Sequence, residues 1–145
     1  EEAATQYKAV LDKRPSAEVW TLLGILEDGR GNIAGAEAAY RNALQMEPET
    51  PIAANNLAWI ITENGGNLDE ALQLATMAVT KNPQSAEFYD TLGWVYLKKG
   101  LNSPAVEQMK KAVAMDEAAA KTGGTSPNAA YRTRLGMALA GSTKG

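Results

Sequence analysis

The sequence predicts an all-α array of antiparallel helical hairpins, and three observations predict it. Pro15, Pro48 and Pro83 stand 33 and 35 residues apart, and Gly31-Asn32, Gly66-Asn67 and Gly100 recur at intervals of 35 and 34. An apolar-periodic segment of 12 to 16 residues precedes and follows each glycine, and each proline falls just after the second segment, where its missing N–H and fixed φ stop a helix. The apolar spacing is helical throughout, and β-branched pairs such as Ile60-Ile61 lie inside helical patterns.

Taken in order, residues 1–16 carry Ala3, Tyr7 and Val10 ahead of Pro15 and read as one helix. Residues 17–50 form a full hairpin. Trp20, Leu23, Gly24 and Glu27 fall at steps of three and four in its first helix, and Ala36, Tyr40 and Ala43 do so in its second. Residues 51–85 repeat the unit with one residue inserted in the turn between Asn64 and Asn67, and residues 86–119 repeat it again. Glu117 stands where the third closing proline would be, so 120–128 is either a linker or an extension of that helix, running to about Lys121 before Gly123-Gly124. Residues 129–145 supply one more helix. Ser16, Ser85 and Ser126 are candidate N-caps, Asn67 with Glu70 has the capping-box spacing, and Pro104 and Pro127 suit first-turn positions.

The composition removes whole classes of chemistry. With no His and no Cys, the chain has no imidazole base, no thiolate nucleophile, no disulfide and no Cys or His ligand for zinc. The acid pairs Glu27-Asp28, Asp69-Glu70 and Asp116-Glu117 are helix neighbours, which diverge by about 100° and do not converge on one site. Gly136 to Ser142 has the glycine spacing of a phosphate loop, but Ser142 stands in place of the lysine and no strand precedes it. No enzyme, cofactor or metal site is predicted.

Net charge is −3, arising from five basic and twelve acidic residues in 1–72 against nine and five in 73–145. Lys98-Lys99 and Lys110-Lys111 read as solvated helix ends, and no nucleic acid partner is expected of this acidic chain. No apolar run approaches the roughly 20 residues that span a bilayer. The chain opens without Met and already in helical register, as a segment of something longer would.

The recurring residues resemble the tetratricopeptide repeat, a helical hairpin of about 34 residues. Trp20, Leu23, Gly24, Ala36, Tyr40, Ala43 and Pro48 match its signature, with Glu27 the one departure. Leu57, Ala58, Ile61, Ala71, Ala75, Ala78 and Pro83 match more weakly, and Tyr89, Leu92, Gly93, Tyr96, Ala105, Met109 and Ala112 match well. The flanking segments resemble the second helix of a truncated repeat and, through Leu135, Gly136 and Leu139, the first helix of a partial or capping one. The resemblance implies about eight helices in a right-handed superhelical solenoid, with small residues admitting helices closely and large ones filling the space beside them. Wording such as AANNLAW and FYDTLGWVYLKKG resembles bacterial members, including large repeat proteins of envelope and exopolysaccharide export; cytoplasm, periplasm and envelope all stay open.

In this family the first helix of each pair lines a concave, peptide-holding groove. The resemblance places Glu18, Thr21, Leu22, Ile25 and Asp28 there from the first repeat, Ile52, Asn55, Asn56, Trp59, Thr62 and Glu63 from the second, Glu87, Asp90, Thr91, Trp94, Leu97 and Lys98 from the third, and Ala130, Thr133, Arg134 and Met137 from the last helix. Trp59 and Trp94 occupy equivalent places that the signature leaves unspecified. Set about 10 Å apart, one helix diameter, they either form a ledge for an apolar or Pro-rich segment or pack against the neighbouring first helix and close the groove. The lysine of the family's two-carboxylate clamp for acidic tails is missing, so the expected ligand is an apolar protein segment with a basic group for Glu63 and Asp90. The expected function is a non-catalytic protein-interaction scaffold. The alternatives are a repeat arm of a larger enzyme or export complex, and a solenoid that self-associates end to end through its acidic and basic ends.

Overall fold

A computed structural model describes residues 2–142; residues 143–145, the end of the last predicted segment, lie outside the described residues. Among the described residues eight helices follow one another: α1 (Glu2–Lys13), α2 (Ala17–Gly29), α3 (Ile33–Met46), α4 (Pro51–Glu63), α5 (Leu68–Lys81), α6 (Ala86–Lys98), α7 (Asn102–Gly123) and α8 (Ala129–Ser142). No strand occurs among the described residues. The helix pairs α2–α3, α4–α5 and α6–α7 are the three hairpins, and each first helix also touches the next, α2 on α4, α4 on α6 and α6 on α8. This side-by-side row of first helices is what creates a shared inner face.

Helix starts follow the predicted caps with two corrections. The hydroxyls of Ser16 and Ser85 accept from the backbone N–H of Val19 and Phe88 at 3.1 and 3.3 Å. Asn67 accepts from the N–H groups of Asp69 and Glu70. The Glu70 carboxylate, however, takes the Arg41 guanidinium at 2.9 and 3.0 Å, so the second half of the expected capping box is given up for an ion pair. Ser126 and Pro127 precede α8 and do not open it; Asn128 accepts from the N–H of Ala130 at 3.0 Å instead.

The turns explain both the period and the one signature departure. Gly31, Gly65 and Gly100 all sit at φ of 71 to 81°, where a Cβ would be strained, and the residue after each returns its N–H to the carbonyl of Glu27, Ile61 or Tyr96. The left-handed glycines are thus 34 and 35 residues apart, and the inserted residue follows Gly65. Glu27 is buried, but its carboxylate accepts from Arg30 and Asn32 at 3.2 and 2.7 Å and so closes the first turn. At the third hairpin, with no proline at position 117, the helix runs on to Gly123 and stops at Gly124, φ 69°.

Within each hairpin a small residue of the first helix faces one residue of the second. A Cβ on Gly24 would stand 2.4 to 2.9 Å from the Tyr40 ring, and one on Gly93 would stand 2.5 Å from Met109 Cγ and 3.1 Å from the Ala105 carbonyl oxygen. In the middle hairpin Ala58 and Ala75 hold these places, both fully buried. Gly93→Ala should therefore destabilise the chain by about 2 kcal/mol in urea unfolding, because part of what the new methyl meets is backbone. Gly136→Ala is the control. Nothing lies within 4 Å of its would-be Cβ, so the change should be neutral or stabilise α8 by up to about 1 kcal/mol.

Candidate peptide-binding groove

The two indoles occupy equivalent turns of α4 and α6 and lean together. Their ring centroids are 6.0 Å apart with planes inclined by 23°, a stacked pair. The expected spacing of about 10 Å holds for helix axes, not for side chains this long that point toward each other. Trp94 is 8% exposed and its Nε1–H donates to Glu63 at 2.5 Å. Lys98 lies 4.5 Å from its ring centroid. Trp59 is half-buried, with the Arg134 guanidinium 5.0 Å from its ring.

Arg134 reaches from α8 to α6. Its Nε donates to both carboxylate oxygens of Asp90 at 3.0 and 2.8 Å, and a terminal nitrogen approaches one of them at 2.5 Å. Burial pushes the Asp90 carboxyl up from its ordinary range, and Arg134 pulls it part of the way back. Asp90 and Glu63, expected to receive a partner's basic group, thus already serve Arg134 and the Trp94 indole.

A second polar chain crosses from α4 to α3 and α6. Asn55 Nδ2 donates to Asn56 Oδ1 at 3.1 Å and to Glu87 at 3.3 Å, and Asn56 Nδ2 donates to the Tyr40 hydroxyl at 3.2 Å. Burial raises the Tyr40 phenol to about 12, helped by the negative charges of Asp28 and Glu87 and opposed by the Asn56 donor. Asn55 is 2% exposed, yet its Oδ1 has no partner. An unanswered buried acceptor costs about 1–3 kcal/mol.

A cavity of about 420 Å³ opens where the first helices meet. Asp28 enters from the end of α2, Asn55, Asn56 and Trp59 from α4, Glu87, Asp90 and Thr91 from α6, and Asn128, Tyr131 and Arg134 from the start of α8. Of the predicted residues, the structure gathers Asp28, Asn55, Asn56, Trp59, Glu87, Asp90, Thr91 and Arg134 here. Thr62 and Thr91 are buried, and the Thr62 hydroxyl donates back to the Ala58 carbonyl. Leu22, Ile25 and Met137 are exposed and lie outside the cavity. The wall is mostly polar, whereas the expected ligand was an apolar segment with a basic group. Asn128 and Tyr131 were missed by sequence reasoning, although their spacing of three and three to Arg134 is a one-face helical signal.

An all-α row of hairpins whose first helices enclose a polar cleft defines a repeat scaffold for protein–protein interaction. Residues 21–86 and 86–118 match two models of the tetratricopeptide repeat, and the chain belongs to that family. It is 25% identical over 89 residues to the TPR repeat-containing protein PA4667 of Pseudomonas aeruginosa, a match covering 61% of this chain and 15% of that protein. It is 41% identical over 51 residues to the "Probable biofilm formation methyltransferase WspC" of Pseudomonas putida, covering 35% of this chain and 12% of that one. The chain thus matches only a small part of the length of these curated relatives.

Among solved structures, MamA superposes with a TM-score of 0.69 at 25% identity, covering 82% of this chain and 70% of MamA. A MamA RS-1 ArsTM double mutant gives 0.77 at 21% identity, over 94% and 72%, a likeness of fold alone. No described helix is long and apolar enough to cross a membrane.

Proposed function

We propose that the chain is a non-catalytic scaffold that holds an extended segment of a partner protein along the concave face, with one residue of that segment seated in the cavity. The observation that carries this is the cavity itself: α2, α4, α6 and α8 each contribute polar side chains to one space large enough for a side chain. Three features support it. Solenoid inner faces present long, preformed surfaces, Trp59, stacked on Trp94, lines the cavity, and the chain has no His or Cys to carry covalent chemistry.

A second reading is favoured by one observation, the 51-residue similarity to a protein named as a methyltransferase. On that reading this scaffold is the arm of a larger enzyme and holds its substrate protein. Both readings require the same groove, and they differ in what the rest of the polypeptide does.

Selection of displayed short peptides on the chain tests the groove. Selected peptides are expected to change Trp59 fluorescence and to lose at least about tenfold in affinity when Asn56→Arg fills the cavity. Peptides that bind wild type and Asn56→Arg equally would place recognition elsewhere.

A further inference from the structure

The cavity wall carries three carboxylates, Asp28, Glu87 and Asp90, and one cation, Arg134. Arg134 is committed to Asp90. Among the described residues no cation pairs with Asp28 or Glu87, and the Asn55 amide is the one side-chain donor recorded on Glu87.

Asp28 is also misplaced for stability. It lies in the last turn of α2, where the helix dipole disfavours an anion, and that turn contains no basic residue. Its neighbour Glu27 is compensated by Arg30 and Asn32; Asp28 is not.

The independent sign of a ligand is Asn55. This wall residue is 2% exposed, its amide nitrogen is occupied by Asn56 and Glu87, and its oxygen is unanswered. A buried acceptor of this kind calls for an N–H donor. The space thus offers acceptors from α2, α4 and α6, and its one cation is already committed to Asp90.

We propose that this cavity is an arginine-binding site: a guanidinium from the partner's segment sits between Asp28 and Glu87 and supplies the N–H that the Asn55 oxygen lacks. This rests on the groove reading above and names its ligand chemistry. A guanidinium suits the site better than an ammonium because its five donors fan out in a plane and can reach acceptors on separate helices, whereas an ammonium is a compact point charge. Arg134 already shows a guanidinium accepted in the same space, one carboxylate in its fork and the Trp59 ring beside it. The incoming cation would also offset the excess of negative charge on a wall that carries three carboxylates and one cation.

The test titrates the full chain with N-acetylarginine amide, N-acetyllysine amide and N-acetylcitrulline amide, following backbone and side-chain amide NMR signals. Arginine should give saturable shifts at the Asn55 side-chain amide and at Asp28 and Glu87. The lysine probe should be weaker by about fivefold, and citrulline, which keeps the shape without the charge, weaker by about tenfold or more. Asp28→Asn and Glu87→Gln, both exposed and expected to fold as wild type, should each weaken the arginine probe by about three- to tenfold, and more at low salt than at high. Glu107→Gln, outside the cavity on α7, should not.

Equal shifts from arginine and citrulline, or from arginine and lysine, would overturn the proposal, as would indifference to both carboxylate substitutions in folded protein. If the arginine probe fails while selected peptides still bind and respond to Asn56→Arg, this inference fails and the groove reading survives. If neither binds, both fail.

Discussion

Tyr40→Ala is expected to destabilise the chain by about 3–5 kcal/mol, the largest loss for any single truncation of this core. The ring is fully buried, and it fills the notch left by Gly24 so closely that not even a methyl would fit between them. It also sits in the central cluster with Ala36, Ala43, Leu57 and Ile61, so the void would open at the junction of the first two hairpins. Chemical unfolding checks it, with Tyr40→Phe as the companion. Phe keeps the ring and removes only the acceptor for Asn56 Nδ2, so its cost should be near 1 kcal/mol. If the two substitutions cost the same, the hydroxyl and not the ring is what holds these hairpins together.

Arg134→Ala should cost about 3 kcal/mol and loosen α8, because it strands a buried carboxylate. Asp90 is 2% exposed and Arg134 is the cation paired with it. Asp90→Asn made together with Arg134→Ala should recover much of the loss, since a neutral amide needs no counter-ion.

The pH dependence gives an independent sign. Burial raises the Asp90 carboxyl and Arg134 lowers it, so removing Arg134 leaves only the upward push. A carboxyl raised in the folded state binds its proton there at a pH where the unfolded chain has already lost it. The penalty is then full above the folded value and shrinks as pH falls through it toward the ordinary Asp value of about 4. The deficit of Arg134→Ala relative to wild type should accordingly be greatest at neutral pH and smaller in acid. A deficit that does not change with pH would mean that lost packing on Trp59, not the stranded charge, is responsible.

The hairpins were legible because everything that specifies them is local and repeated. Glycine with positive φ at the turn, a proline after the second helix, and alternating small and large packing residues each recur at the repeat interval. At the one departure, Glu117 in place of the closing proline, the sequence left a linker and a helix extension open, and α7 runs on to Gly123.

The groove was legible as a face but not as a site. Helical register places Asn55, Trp59, Asp90 and Trp94 on the first helices, yet it cannot say that the indoles meet at 6.0 Å or that Glu63 takes the Trp94 N–H. The Asp90–Arg134 pair spans 44 positions and depends on how the chain turns between Gly124 and Asn128. That segment also hid the start of α8, and with it Asn128 and Tyr131. The apolar character expected of the ligand came from Trp59 and Trp94 taken alone. Of the stacked pair Trp59 lines the cavity and Trp94 does not, and most of the remaining wall is carboxylate and amide.

On the proposed function, the row of first helices is the recognition surface. Amide chemical-shift mapping with a selected peptide tests it most directly. Shifts are expected on α4, α6 and the start of α8, including the Asn55 and Asn56 side-chain amides and the Trp59 indole N–H, with α3, α5 and α7 little changed. Shifts confined to α3, α5 and α7 would contradict it.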